Sequence, residues 1–319
     1  MTILITGVAG FVGTNLTRKL LSQGHRIIGL DNFCRGNKNN LLEFWNEELF
    51  HFVELDLVDY DILIENLLQF HDKYTIDQVW HLAANSDIPA GVADIDVDFR
   101  NTFMTTMNIV KSMKMLKIGS LVFASTSAVY GDLGDKKINE NAGPLMPISN
   151  YGAMKLASEA LISASVESFL NNAYIFRFPN VIGVPATHGV ILDFIEKLKL
   201  EPTCLNVLGD GTQQKAYLHV DELIDAMCFI VSNSRNKLNF YNIGNVDDGV
   251  TVKFIAESVV ANCSPNAKIN YGKENRGWVG DVPKFNYSIE KLLNLGWKPK
   301  LSSSESILKA ISQILIQLK

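Results

Sequence analysis

The chain has 319 residues, of which 47% are hydrophobic and 20% charged, and a net charge of −5 at pH 7. That is long enough for a substantial core and ordinary for a globular protein, and the lack of basic excess argues against a nucleic-acid partner. Cys34, Cys204, Cys228 and Cys263 are scattered, with no C-x-x-C spacing or clustered histidines. Neither a disulfide frame nor a metal site is expected, and reduced thiols with no apolar run of membrane-spanning length point to a cytoplasmic protein.

The opening stretch, TILITGVAGFVGTNL, places Gly7, Gly10 and Gly13 between a short β-branched strand and a helical pattern running from Phe11 to Leu21. At such a junction the unpaired helix N–H groups and the positive end of the dipole face an anion, and glycine lets it approach the backbone. The spacing is G-x-x-G-x-x-G rather than the dehydrogenase G-x-G-x-x-G, so by itself it is also compatible with a tight turn that binds nothing. A second strand, HRIIGLDN, ends in Asp31, near the offset at which an acidic residue accepts from the ribose of a dinucleotide. A carboxylate there repels a 2′-phosphate and favours NAD over NADP. Arg35 nearby argues mildly the other way.

Strand patterns FHFVEL, QVWHLAA and SLVFAST alternate with helical patterns at Asp59 to Phe70 and Asp96 to Leu116, the rhythm of a parallel sheet covered on both faces. A helix over Tyr151 to Leu170 and the strand NAYIFRF follow. PNVIGVPATHG reads as a loop, and helices are expected at Ile191 to Leu200, Asp221 to Val231, Val252 to Ala261 and Ser303 to Leu318. The expected architecture is α/β, a doubly wound parallel sheet over residues 1–180. A smaller mixed α/β lobe for the substrate follows over 181–319, and the chain is free to cross between the lobes.

Two further stretches carry chemistry. In SNYGAMKLASEAL, Tyr151 and Lys155 are four apart, on one helix face. ASTSAVYG puts hydroxyls at Ser125, Thr126 and Ser127 at the carboxyl end of a strand, where open α/β sheets bind ligands. A phenol titrates near pH 10, so an adjacent ammonium and a cationic nicotinamide are needed to make Tyr151 a base. A tyrosine and lysine at this spacing are more often a plain surface pair, and a Ser/Thr cluster is more often turn chemistry. The order of glycine turn, acidic strand end, hydroxyls and Y-x-x-x-K together outweighs both readings.

With these motifs the chain resembles the extended short-chain dehydrogenase/reductases, and within them the nucleotide-sugar epimerases and dehydratases. The likeness runs from TGVAGFVG through LDN, HLAA, STSAVYG, YGAMK, RFPNVIG and GDGTQQKAYLHVDEL to GWVGDVP. It implies a Rossmann fold with NAD as cofactor, its pyrophosphate on Gly7, Gly10, Phe11, Val12 and Gly13. Asp31 and Asn32 would hold the adenosine ribose, Asp56 and Leu57 the adenine, and Leu82, Ala83 and Ala84 would line the cofactor. Tyr151 would be the catalytic acid or base, Lys155 would bind the nicotinamide ribose and lower the tyrosine pKa, and Thr126, rather than Ser125 or Ser127, would meet the sugar oxygen. Asn180, Lys215 and Tyr217 would contact a nucleotide-diphosphate sugar. Lys215 and Trp278 stand where the family has diphosphate arginines, and Arg276 is the candidate substitute.

The dehydratases carry an Asp-Glu pair after the catalytic threonine, and here those positions are Ser127 and Ala128, which disfavours loss of water. The resemblance thus implies an NAD-dependent nucleotide-sugar 4-epimerase, with a 4-dehydrogenase or ketoreductase that releases or consumes the keto sugar as the alternative. A non-catalytic NAD-binding sensor is more remote, because both Tyr151 and Lys155 are present. The family also implies a homodimer built on helices near Ile95 to Leu116 and Tyr151 to Leu170, with Met104, Met107, Val110 and Met113 as the expected apolar stripe. The competing reading packs that stripe on the protein's own sheet.

Overall fold

The computed structural model describes residues 1–134, 137–274 and 287–319. β1 (Thr2–Thr6) is buried along its whole length, as suits a strand covered on both faces, and α1 (Phe11–Ser22) follows the glycine turn. β2 (Arg26–Asp31), β3 (Phe50–Glu54), α2 (Tyr60–Tyr74) and β4 (Gln78–His81) come next. The expected single helix ending at Leu116 is instead α3 (Ile88–Ala93), α4 (Ile95–Asp98), a π-helical segment Phe99–Met104 and α5 (Thr105–Leu116). β5 (Ser120–Thr126), a 3₁₀ turn Ser127–Tyr130, α6 (Asn150–Ser168) and β6 (Asn172–Phe178) complete the alternation.

Beyond β6 lie β7 (Asn180–Ile182), α7 (Val190–Leu200), β8 (Cys204–Val207), β9 (Gln214–Lys215), β10 (Tyr217–His219) and α8 (Val220–Asn233). Then follow β11 (Leu238–Asn242), β12 (Val250–Thr251), α9 (Val252–Cys263), β13 (Lys268–Tyr271), α10 (Glu290–Leu295) and α11 (Ser303–Gln317). β7 falls in the stretch read as a loop. Its three residues, between Pro179 and Gly183, are too few to show a period, and parallel pairing with β10 makes them a strand.

Seven strands form one sheet in the order β11-β6-β5-β4-β1-β2-β3. The pairs β1 with β2, β1 with β4, β2 with β3 and β4 with β5 run parallel. This is the Rossmann order, and it reverses between β1 and β4, the switch point beside which such sheets bind their ligands. Two compact units emerge: Met1–Gly131, Gly143–Arg177 and Met227–Tyr241 make the first, and Asp132–Ala142, Phe178–Ala226 and Asn242–Lys319 the second. The return over Met227–Tyr241 follows from the topology, because β11 takes the sheet edge beside β6. Each unit has its own apolar core, around Leu4, Val79, Phe123 and Ile175 in the first and around Phe194, Leu205, Val259 and Ile311 in the second. Among the described residues no helix is long and apolar enough to cross a membrane.

Candidate active site

The glycine turn sits at the switch point. Gly7 has φ +71°, a conformation strained for any residue with a Cβ, and that Cβ would lie 2.9 Å from the Ala83 backbone nitrogen. β1 and the end of β4 are thus in close contact, and the Thr6 hydroxyl holds them by accepting from the Leu82 and Ala83 N–H groups, each at 3.2 Å. Gly13 serves packing, since its Cβ would overlap the Gly7 carbonyl and stand 2.8 Å from Val8 Cα. Gly10 is different: it meets only the Gly7 carbonyl oxygen, at 3.2 Å. It starts α1 with no side-chain cap and no acidic residue in the first turn, leaving the helix N-terminus for an external anion.

Asp31, at the end of β2, is 7% exposed. Its Oδ2 accepts from the Ala9 N–H at 2.9 Å and its Oδ1 from the Phe33 N–H at 2.8 Å, which ties the second strand to the glycine turn. Burial raises its pKa, and those N–H groups oppose the rise. Arg35 is engaged elsewhere, in an ion pair with Asp87 at 3.0 Å. Asn32 and Asp56 are exposed and accept from the Cys34 and Val58 N–H groups two residues on, while the Leu57 carbonyl accepts from Asn108. A cradle of glycine, an uncapped helix end and a carboxylate at the second strand end together fit a dinucleotide.

Tyr151, Thr126 and Lys155 come together. Ser149 caps α6 by accepting from the Gly152 N–H at 3.1 Å, so Tyr151 lies in the first turn, at the positive end of the helix. Gly152 permits this docking, because a Cβ there would be 2.7 Å from the Ala128 carbonyl oxygen. Desolvation pushes the Tyr151 phenol up to about 12, the hydrogen bond with Thr126 pulls it down, and Asp98 pushes it further up. Lys155 is almost wholly enclosed, with its Nζ 2.6 Å from the Ala124 carbonyl oxygen and 5.9 Å from the centre of the Tyr151 ring. Burial lowers it to about 7 and the Glu159 charge raises it. In the protein alone desolvation is the largest influence on both groups.

Ser125 points away from Thr126. Its hydroxyl donates to Glu159 at 2.5 Å, and Glu159 is clasped by Arg177 through Nε at 2.9 Å and Nη2 at 2.5 Å. Arg177 Nη1 also donates to the Tyr130 hydroxyl at 3.0 Å. None of the sequence motifs includes this buried cluster, although an arginine inside the strand NAYIFRF and a glutamate four residues after Lys155 both signal it.

In the second unit, Asn180 and Tyr217 are opposite one another in the pairing of β7 with β10. Lys215 is half-buried on β9, paired with Val250. Tyr217, expected to meet substrate, is instead 6% exposed and packed in the apolar core of this unit. Its N–H donates to the Ser303 hydroxyl and its carbonyl accepts from Asn245, so the strand is fixed through its main chain. Arg276 and Trp278 lie outside the described residues.

The model of the NAD dependent epimerase/dehydratase family matches residues 3–244. The chain belongs to that family, and it is an NAD-dependent enzyme of the Rossmann type. A curated relative, a putative UDP-glucose 4-epimerase of Methanocaldococcus jannaschii, is 29% identical over 97% of each chain. UDP-glucuronic acid decarboxylase 1 of Danio rerio is 27% identical over 97% of this chain and 71% of its own. Among solved structures, a UDP-galactose 4-epimerase superimposes with a TM-score of 0.86 at 30% identity, over the whole of both chains.

Proposed function

We propose that the chain is a nucleotide-sugar 4-epimerase. The observation that carries this reading is the hydrogen-bonded pair Thr126 and Tyr151 with no carboxylate at Ser127 or Ala128. One alcohol oxygen can be bound and deprotonated there, while no adjacent acid serves the loss of water. Epimerase relatives support it, and the decarboxylase relative supports the coarser nucleotide-sugar assignment equally.

In this reading Gly7, Gly10, Phe11, Val12 and Gly13 hold the pyrophosphate of NAD, and Asp31 accepts from its adenosine ribose and disfavours the 2′-phosphate of NADP. Asn32, Asp56, Leu57, Leu82, Ala83 and Ala84 complete the cofactor contacts. Bound NAD supplies an acceptor for hydride from the sugar C4 and a donor that returns it to the opposite face. Tyr151 takes the proton of the 4-hydroxyl as C4 is oxidised and gives it back as the ketone is reduced, so the step is neutral over one cycle. Thr126 donates to the same oxygen. The N-terminus of α6 and the Lys155 ammonium both favour the phenolate, and Lys155 also holds the nicotinamide ribose. Asn180 and Lys215 contact the diphosphate. Lysine does this as a point charge, without the two-pronged grip of arginine.

Two copies associate through the exposed apolar ridge of the helices that precede β5. The ridge is the exposed Ile95, Phe99 and Met107 with the half-buried Phe103, whose ring stacks on Phe99 at 6.1 Å. It replaces the stripe expected from sequence, since Val110 and Met113 are buried at 6% and 1% in the protein's own core.

The deciding experiment incubates the protein and NAD with UDP-, GDP-, CDP- and dTDP-sugars and reads products by proton NMR. Inversion at C4 is expected. An accumulating ketone would make the protein a dehydrogenase or ketoreductase, and lost water or carbon dioxide would overturn the epimerase reading.

A further inference from the structure

Glu159 lies one helical turn beyond Lys155 on α6, and both side chains are directed at the end of β5. Lys155 donates to the carbonyl of Ala124, and the next residue, Ser125, donates to Glu159. Thr126 is the residue after that. Two consecutive residues of β5 are thus held by two consecutive turns of α6, immediately before the hydroxyl that pairs with Tyr151. Arg177 on β6 fixes Glu159 from the far side through two nitrogens. Ser125, Lys155, Glu159 and Arg177 are all buried, in a setting where charges act at long range and polar groups need partners.

We propose that Glu159 is a positioning residue for the cofactor-binding lysine: through Ser125 it sets the β5 end that receives Lys155, and its charge keeps that lysine an ammonium. The proposal rests on the reading of Lys155 as the nicotinamide-ribose ligand. Among the described residues, the other groups facing Lys155 supply no second negative charge. Tyr151 on α6 is a neutral phenol, and His81 on β4 is held neutral near 3 by burial and by Lys155 itself. The Phe123 ring on β5 lies 4.7 Å from Nζ, and Arg177 is cationic beyond Glu159. Since burial alone depresses Lys155 strongly, the Glu159 carboxylate is what opposes its loss of a proton near neutrality.

The test measures NAD affinity by calorimetry from pH 6 to 9 for the wild type, Glu159→Gln, Ser125→Ala and Lys155→Met. One pH unit is a tenfold change in protonation ratio. Wild-type affinity should fall as pH rises above neutrality. For Glu159→Gln that fall should start at lower pH, leaving affinity about tenfold weaker than wild type at pH 8, with the gap narrowing toward pH 6. Ser125→Ala keeps the ion pair and loses only the strand contact, so it should weaken NAD about threefold or more at every pH. Lys155→Met should weaken NAD and abolish the pH dependence. If Lys155→Met leaves affinity unchanged, the reading of the lysine fails. If Lys155→Met weakens binding while Glu159→Gln runs parallel to wild type at every pH, the proposal about Glu159 fails alone. Should Glu159→Gln not fold because Arg177 is left unpaired, an unchanged Ser125→Ala would overturn it instead.

Discussion

Replacing Gly10 and Gly13 separately by alanine should divide the glycine turn into a part that binds and a part that packs. Gly10 has φ −79° and ψ 173°, a conformation open to alanine, and the new methyl meets only the Gly7 carbonyl oxygen at 3.2 Å. A shift of a few tenths of an ångström accommodates it, and the loss of unfolded-state freedom offsets the strain by about 0.4–1 kcal/mol. Thermal stability should therefore stay within roughly 3 °C of wild type. At Gly13 the methyl overlaps the Gly7 carbonyl and stands 2.8 Å from Val8 Cα and 2.9 Å from the Gly7 carbonyl carbon, all backbone atoms of a turn fixed to β4. Overpacking of that kind costs about 1–3 kcal/mol, or about 2–12 °C in melting temperature. Calorimetry with NAD supplies the second readout. Gly10→Ala should lose at least about tenfold in affinity, some 1.4 kcal/mol, because its methyl occupies the approach to the α1 N-terminus. A Gly10→Ala protein that binds NAD like wild type would refute the placement of the pyrophosphate, and a Gly13→Ala protein with unchanged stability would refute the packing argument.

In the reaction itself, Tyr151→Phe should keep NAD binding and lower turnover by about 10²–10⁴-fold, and Thr126→Val should lower it less, while Ser127→Ala changes little. Turnover retained by Tyr151→Phe would end the proposed mechanism and turn attention to His188, which is exposed beside Thr187. Burial raises Asp98 above its unfolded value, and its Oδ2 has no partner among the described residues, so stability falls as pH rises through the folded value. Asp98→Asn should therefore gain in melting temperature relative to wild type as pH rises above the ordinary aspartate value near 3.8, and a difference independent of pH would show that the carboxyl does not ionise there. The double variant Phe99→Glu/Met107→Glu should be monomeric by light scattering at micromolar concentration while wild type is dimeric, whereas a monomeric wild type would remove the ridge as an interface.

The alternation of strand and helix was legible because strands buried on both faces are continuous apolar runs, as in Ile3 to Ile5 and Leu121 to Phe123, and the intervening helices carry a 3.6-residue period. What period alone could not convey was the π-helical segment at Phe99–Met104. Beyond it, in α5, three residues fall about 60° short of a full turn, so steps of three from Met104 wind into the core at Val110 and Met113, while four-residue steps from Ile95 through the wider π-helical turns trace the ridge. β7 was hidden by its shortness. The return over Met227–Tyr241 was hidden because the edge position of β11 is decided by pairing with β6, a long-range contact without a local signature.

Site residues were legible to the extent that their chemistry is local. The spacing of Tyr151 and Lys155, and the placement of Asp31 after β2, follow from helix and strand geometry. The balance between Tyr151 and Lys155 does not, because spacing says nothing about desolvation. Read from the motif, an ammonium four residues away should lower the phenol; in the fold, burial raises the phenol to about 12 and lowers the ammonium to about 7. At pH 7 a phenol of that strength is overwhelmingly protonated, so Tyr151 alone is not poised to take a proton. The residues that oppose this desolvation are ones a motif omits: Ser149, which starts α6 so that its positive end lies at Tyr151; Thr126, whose hydrogen bond lowers the phenol; and Glu159, whose charge raises Lys155. Their contributions depend on the register of α6 against β5. A one-turn slip of that helix would keep Y-x-x-x-K intact and still part Lys155 from Ala124 and Glu159 from Ser125.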